Sequence, residues 1–164
     1  DIAEADAAGT CFDQAEMSRC IATKAALVGA TFLKAALRFA DFSGADLTQA
    51  DLGGADLRDA MFEDTRALGA KLTLCALDRA NFARADLSGA SLEHAVAPYA
   101  SFANARAATT SFRHAALRGA NLHGLADEGA AWMDADLSGA SRTDPPLARG
   151  ESFVAPALRP LDVT

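Results

Sequence analysis

The chain has 164 residues, of which 23% are charged, and its formal net charge at pH 7 is −7. Such an acidic chain is not expected to bind nucleic acid or anionic membranes in general, because both need a basic surface. No apolar run approaches the roughly 18 residues that a membrane-spanning helix requires. The composition argues against these two classes and permits basic protein partners.

The start of the chain and its cysteines bear on location. The first residues are acidic and rich in alanine, unlike a secretory signal peptide, and the missing initiator Met predicts a fragment or a processed or trimmed chain. Three cysteines, Cys11, Cys20 and Cys75, form an odd and sparse set without metal-binding spacing. Such a set favours a reducing compartment, and we expect a cytoplasmic protein.

One five-residue phrase fills most of the chain. Residues 40–60 contain four copies of it: a small residue, Asp, a large apolar residue and two variable residues, as in 45–49 (ADLTQ). These positions are termed slots one to five below. From residue 5 to residue 140, slot one holds Ala, Thr or Cys in every copy except at Leu125, and slot three is mostly Leu or Phe. No insertion or deletion breaks the frame, so a single repeating unit specifies the architecture.

The period of five excludes ordinary helices and strands. On an α-helix five residues turn about 500°, so successive slot-three side chains would point about 140° apart and form no stripe. On a flat strand five is an odd number, so these side chains would alternate between the two faces. A chain that bends once every five residues places slots one and three inside and leaves the other slots in water.

The phrase resembles that of the pentapeptide-repeat family, as in 45–47 (ADL), 80–82 (ANF), 85–87 (ADL) and 120–122 (ANL). The resemblance covers roughly residues 5–144 and implies an all-β fold: a right-handed quadrilateral parallel β-helix with four repeats per coil. The residues support four sides independently, because every twentieth position collects large side chains into columns. One column is Phe42, Phe62, Phe82, Phe102 and Leu122, and another is Phe12, Phe32, Leu52, Leu72, Leu92, Phe112 and Trp132.

We therefore predict a β-helix of about seven coils over residues 1–144, with coils spaced like paired strands. Residues 145–164 contain four of the five prolines, which remove donors from a β-ladder. We expect this segment to form a cap over the last coil or a linker. Both ends of the rod are expected to need covers, and a homodimer could form through them.

Several slot-three residues depart from the phrase. Alanine replaces the large residue at Ala22, Ala67, Ala97 and Ala107, Asp127 places a carboxylate there, and the frame ends where Arg142 replaces an inward Leu. A buried carboxylate without a partner is too costly to persist. We therefore predict a local bulge or an open side at Asp127, formed by an eroded repeat or, as the alternative, by a functional loop.

No catalytic signature is present: the chain lacks a phosphate-binding Gly-rich loop, a nucleophile elbow, HExxH and CxxC. We expect neither an enzyme nor a cofactor. His94, His114 and Asp134 are spaced by twenty residues and should stack in one column, which could bind a divalent ion or, as we favour, forms an exposed polar ladder. Cys20 and Cys75 occupy slot one too far apart for a disulfide, whereas Cys11 is outward and accessible.

The charges are banded along the chain. Residues 41–64 hold seven acids against one base, Arg58, whereas bases dominate residues 65–125. Asp41, Asp46, Asp51 and Asp56 fall on four successive sides and should ring one coil. We predict that this acidic ring is a protein-docking surface. The alternative is an ordinary solvated face, since slot-two Asp also suits turn chemistry and solubility.

These observations leave three functional hypotheses. The first is a non-catalytic scaffold that presents a rigid rod to a protein partner. The second is implied by the resemblance, since some family members inhibit or protect DNA gyrase as dimeric DNA mimics. This chain departs from them through its banded charge, the absence of a projecting loop and a tail without an obvious dimerising helix. The third is an enzyme or a metal site at the column of His94, His114 and Asp134. The resemblance also implies, as a further alternative, that the chain is one domain of a larger bacterial secretion-associated protein.

Overall fold

The computed structural model describes residues 1–143, which form a β-helical solenoid. Parallel β-bridges join each slot-two residue to the residue twenty positions later, from Asp6↔Ala26 to Ala116↔Asp136. The last bridges merge into two short paired parallel strands, β1 (Asn121–Leu122) and β2 (Ser141–Arg142). One turn of the solenoid, termed a coil below, therefore contains twenty residues. Within residues 1–143 there is no helix, and hence none that could span a membrane.

Each repeat satisfies its backbone groups in the same way. The slot-two N–H bonds backward to the preceding coil, as from Asp46 to the Ala25 carbonyl (2.9 Å), while the slot-three N–H bonds forward, as from Leu47 to the Arg66 carbonyl (2.7 Å). The slot-five N–H also bonds forward, and the slot-one N–H closes a turn, as from Ala50 to the Leu47 carbonyl (2.9 Å). Only the slot-four N–H is left without a backbone partner in this pattern.

The turn in each repeat depends on slot five, which has positive φ in every copy, from 55° at Lys34 to 72° at Gly129. A positive φ at the third turn residue, with a hydrogen bond closing the turn, is typical of a type II turn. Ten slot-five residues are Gly, which takes this conformation at no steric cost. This single dihedral angle explains why the chain bends once every five residues.

The slot-two Asp completes the repeat by accepting the slot-four N–H. The Oδ1 atoms of Asp41 and Asp46 lie 2.9 Å from the N–H nitrogens of Ser43 and Thr48. Where slot two holds Thr31, Asp13 of the preceding coil accepts the Leu33 N–H instead, at 2.9 Å. The recurring Asp is therefore a structural residue of the turn, as expected for Asp beside a turn.

Slots one and three form the core. Every one of these residues between positions 22 and 122 is buried, and Ala22, Ala67, Ala97 and Ala107 are no exception. The aromatic columns predicted from the twenty-residue spacing are confirmed. The rings stack from coil to coil in order: Phe12–Phe32, then Phe42–Phe62–Phe82–Phe102, then Phe112–Trp132. The three stacks meet edge to face at Phe32–Phe42 and Phe102–Phe112, so one aromatic chain runs through the core.

Polar residues in slot one are accommodated by a shared contact. Thr65 Oγ1 donates to the Phe42 carbonyl at 2.8 Å, and Thr110 Oγ1 donates to the Leu87 carbonyl at 2.7 Å. The thiol of Cys75 lies 3.0 Å from the Leu52 carbonyl in the same manner. Each buried donor thus has an acceptor 23 residues earlier, which removes the penalty of burying it.

The expectation of a bulge or open side at Asp127 is wrong. The ladder continues through Ala126, whose carbonyl accepts the Ala107 N–H at 2.7 Å, and the turn closes from Ala130 to the Asp127 carbonyl at 3.0 Å. The carboxylate persists because it is paired: its Oδ2 lies 3.1 Å from both Trp132 Nε1 and the Arg142 guanidinium. The predicted cap or linker at 145–164 lies outside the described residues.

Candidate functional site

The acidic ring predicted from the sequence lies at slot two of four successive repeats in one coil. All four side chains are partly buried. Each uses Oδ1 to accept the backbone N–H two residues on, with distances from 2.9 Å at Asp41 to 3.4 Å at Asp56. One oxygen of each carboxylate is therefore committed to the turn, and Oδ2 is the atom through which each could meet a partner.

The ring divides into a paired and an unpaired half. Asp51 Oδ2 lies 3.2 Å from Lys71 Nζ, and Asp56 is held by both Nε and Nη2 of Arg58. Within residues 1–143, Asp41 and Asp46 form no ion pair. In the described part of the chain, Asp41 and Asp46 are therefore the two carboxylates of the ring without a direct ion pair, although Arg66 stands next to Asp46 on the following coil.

The acidic and basic bands neutralise each other in part. Arg79 forms two bonds to Asp59 (2.7 and 2.9 Å), Arg84 bonds to Asp64 (2.8 Å) and Glu63, and all these partners stand on adjacent coils. The paired residues of the two bands are about twenty positions apart in sequence, so they lie on adjacent coils and contact each other. Comparing each acid with the residue twenty positions later would have identified most of these pairs.

These ion pairs all shift the pKa values of their acids in the same direction. Hydrogen bonds from Arg58, Arg79 and Arg84 hold the pKa values of Asp56, Asp59 and Asp64 below their ordinary value. Because the arginine side chains are about half exposed, solvent screens the pairs and each adds little to stability.

No outward column of residues 1–143 carries acids on two consecutive coils. On the side that contains Asp46, slot two reads Asp46, Arg66, Asp86 and Arg106 in successive coils. On the side of Asp41, slot two continues with Met61. The described surface therefore carries isolated acidic positions and not a continuous negative stripe.

The histidine column is confirmed as a ladder. The rings of His94 and His114 stack with centroids 4.7 Å apart and planes inclined by 9°, and His114 Nδ1 lies 3.5 Å from Asp134 Oδ2. Stacked rings direct their nitrogen lone pairs side by side and not toward one point. In the part of the chain that the structure describes, no group of three His, Cys, Asp or Glu side chains is arranged to hold a metal ion.

The three cysteines are free, and they differ in access. Cys11 is exposed, Cys20 is partly buried and Cys75 is buried. Burial raises the pKa of the Cys75 thiol to about 12, and it also raises the pKa of Cys20. Cys11 is therefore the most accessible thiol of the three, as predicted.

One cluster was not anticipated from the sequence. Phe39 is 47% exposed, and the guanidinium carbons of Arg19 and Arg38 lie 5.6 and 5.7 Å from the centroid of its ring. Arg19 stands directly below Phe39 in the preceding coil, so reading every twentieth residue would have placed the two together. We term these three residues the Arg–Phe cluster.

Comparisons with known proteins bear on the fold. A family profile described as pentapeptide repeats matches residues 40–78, 69–97, 75–108 and 85–124 in eight copies. These matches together span residues 40–124, just over half of the chain. No curated protein matches the chain.

Among solved structures, QnrB1 (R167E, trypsin-treated), a plasmid-mediated fluoroquinolone resistance protein, is 19% identical with a TM-score of 0.60. The match covers 89% of this chain and 85% of that one, and at this identity it shows similarity of fold alone. HetL, a pentapeptide repeat protein involved in heterocyst differentiation regulation in the cyanobacterium Nostoc sp. strain PCC 7120, is 27% identical with a TM-score of 0.39. That match covers 85% of this chain and 77% of HetL. The five-residue frame, the twenty-residue register and the profile agree, and the chain belongs to the pentapeptide repeat family.

Proposed function

We propose that the protein is a non-catalytic scaffold that presents a rigid β-helical rod to a protein partner. The observation that carries this proposal is the acidic ring, in which Asp41 and Asp46 stand at slot two of successive repeats without an ion pair inside residues 1–143. The scaffold has the form of a right-handed quadrilateral β-helix of about seven coils, roughly 34 Å long at the spacing of paired strands. Four repeats separate each bridged pair, in line with four sides.

Rigidity supports this role. The backbone of each inner coil is bonded to both neighbours, and aromatic rings in contact run through the core from Phe12 to Trp132. The Oδ1 bonds to Ser43 and Thr48 further fix the carboxylates of Asp41 and Asp46. A surface already held in its bound geometry loses little conformational entropy on association. We propose that the partner presents basic side chains that match the ring in spacing.

The ring can be tested without disturbing the turn. In the ring variant, Asp41, Asp46, Asp51 and Asp56 are all changed to Asn, whose Oδ1 still accepts the slot-four N–H. In the matched control, Asp13, Asp78, Asp86 and Asp136 are changed to Asn. Both variants and the parent chain serve as bait in a native bacterial lysate, followed by mass spectrometry. We expect one protein to be retained by the parent and the control and lost with the ring variant. Equal retention by the ring variant would eliminate the ring as the docking surface.

A DNA mimic that binds DNA gyrase is the second candidate, favoured by the net charge of −7. The absence of a continuous acidic column in residues 1–143 weighs against it, because duplex DNA presents uninterrupted rows of phosphates. Gyrase supercoiling assays at low salt separate the two proposals. Inhibition or protection at micromolar protein would support the mimic, and no detectable binding would exclude it.

Further parts of this proposal concern context. We propose a cytoplasmic location, consistent with three free thiols. A place within a larger bacterial secretion-associated protein is an alternative setting for the same scaffold.

Pairing of two chains through their ends is also proposed, since Ile2, Phe12 and Met17 are only partly buried at the first coil. Sedimentation across a concentration series tests this pairing, and a single monomeric species throughout would exclude it.

A further inference from the structure

The Arg–Phe cluster differs from the two arginine sites that follow it on the next two coils of its side of the solenoid. Arg58 and Arg79, on the next two coils of that side, are each bonded to a carboxylate. Arg19 and Arg38 are both exposed, and neither forms an ion pair within residues 1–143. Their positive charge is therefore available, although the chain as a whole is acidic.

The acids closest in the fold do not neutralise the positive charge of Arg19 and Arg38. Asp56 and Asp59 stand one coil above Phe39 and are influenced by Arg38, but Arg58 and Arg79 hold their carboxylates through direct bonds. The two guanidiniums instead share one aromatic ring. Two like charges beside one ring repel each other, and an anion between them would relieve this repulsion while accepting charge-assisted hydrogen bonds.

We propose that Arg19, Arg38 and Phe39 form a docking site for an acidic peptide segment of a partner protein. The guanidiniums would bind the carboxylates, and the half-exposed ring would pack against the aliphatic parts of the segment. Arginine and aromatic residues are the types that most often dominate binding energy at protein interfaces. This site selects the charge opposite to that selected by the acidic ring and stands independently of it.

The test uses a dye-labelled ten-residue peptide with six glutamates and a matched peptide with six glutamines. Fluorescence anisotropy with the full chain at low salt should show binding of the glutamate peptide only, weakening as salt is added. Arg19→Gln and Arg38→Gln should each reduce affinity roughly three- to fivefold, the range of exposed ion pairs, and the double variant more than either. Arg118→Gln, an exposed arginine on the same side with no ion pair within residues 1–143, is the matched control and should stay within about twofold of the parent.

The Phe39→Gly variant tests the contribution of the phenyl ring to peptide binding separately from that of the two arginines. Gly suits the φ of 58° at this position, so the variant removes the ring without straining the turn, and circular dichroism checks the fold. We expect a loss of roughly threefold or more, in keeping with exposed cation–π and packing energies. The variant of the acidic ring, in which Asp41, Asp46, Asp51 and Asp56 are changed to Asn, should bind the glutamate peptide at least as tightly as the parent. A failure of the acidic ring as a docking surface is therefore distinguished from a failure of the Arg–Phe cluster.

Four results would overturn the assignment: no binding of the glutamate peptide to folded protein, equal binding of the glutamine peptide, unchanged affinity in the double arginine variant, or an equal loss with Arg118→Gln. A labelled single-stranded DNA is the final arm. Binding of this DNA through Arg19 and Arg38 more tightly than the peptide would assign the cluster to nucleic acid and overturn the peptide assignment.

Discussion

Asp127 and Arg142, which both stand at core positions of the repeat, bind each other at the last described coil with 3.1 Å between Oδ2 and Nη2. The Arg142 guanidinium also lies 4.8 Å from the Trp132 ring centroid, and the Trp132 indole donates to Asp127. Two departures from the phrase, fifteen residues apart, thus compensate each other. Each charge would be less favourable alone, since an unpaired charge in a partly buried site loses solvation without gaining a partner.

This relationship predicts a non-additive pair of substitutions. Arg142→Leu and Asp127→Leu should each lower the free energy of unfolding by about 1 kcal/mol, the range of a partly exposed pair. The double variant should be at least as stable as the parent, because two leucines restore the apolar phrase. Urea denaturation of the four proteins measures this coupling. Additive losses would show that the two side chains act independently.

A second prediction concerns Gly119, on which Tyr99 lies. A Cβ at Gly119 would stand 2.6 Å from Tyr99 Cε1, whereas a Cβ at Gly139 meets nothing closer than the Gly119 nitrogen at 4.0 Å. Both glycines have positive φ, so either change to Ala costs about 1 kcal/mol in backbone strain. Gly119→Ala should cost about 1 kcal/mol more, because the tyrosine ring must move. In a Tyr99→Ala background the two changes should cost the same; a persisting difference would mean that the ring is not the cause.

The slot-five residues that are not glycine hold an unfavourable conformation. Leu74 has φ of 62° and is 66% exposed, so its side chain offers little packing in return. Leu74→Gly should therefore be more stable than Leu74→Ala by about 0.5–1 kcal/mol, after the greater chain entropy of unfolded Gly is subtracted. Thermal unfolding followed by circular dichroism gives this comparison. A more stable alanine variant would contradict the turn assignment.

The paired acids predict how stability depends on pH. Asp56, Asp59 and Asp64 have pKa values lowered in the folded chain, so the unfolded chain binds protons more readily. The stability that they contribute is present above their unfolded pKa of about 4 and is lost as the pH falls below it. Arg79→Gln should flatten this acid loss, because it removes the main cause of the shift at Asp59. Arg118→Gln serves as the control, and an equal flattening there would indicate a general charge effect.

Much of the fold could be predicted because the repeat is a backbone rule. Slots one and three, the twenty-residue register and the aromatic columns follow directly from an unbroken period of five. The prediction of a bulge at Asp127 was wrong because Arg142, which pairs with Asp127, belongs to a different repeat. The repeat pattern alone marks each of the two residues only as a departure from the expected apolar side chain. The sequence shows that both charged residues stand at core positions, but their contact with each other is seen only in the three-dimensional structure.

The candidate site was less predictable than the fold. The sequence placed the four acids of the ring on one coil, but it did not reveal that Asp51 and Asp56 are paired whereas Asp41 and Asp46 are not within residues 1–143. Lys71 stands twenty residues after Asp51, as Arg66 does after Asp46, so spacing alone does not distinguish these two acids and the side-chain conformations decide. The Arg–Phe cluster was missed for a related reason, since Arg38 reaches the ring from a neighbouring slot and not from the same column.

The most direct test of the scaffold proposal measures how the two halves of the ring bind the partner recovered from the lysate. Isothermal titration compares the parent with an Asp41→Asn, Asp46→Asn variant and with an Asp51→Asn, Asp56→Asn variant. We predict that the first variant loses roughly tenfold or more in affinity, since its carboxylates have no ion pair of their own within residues 1–143, and that the second changes by about threefold or less. An equal or larger loss in the second variant, or no loss in either, would contradict docking through the acidic ring.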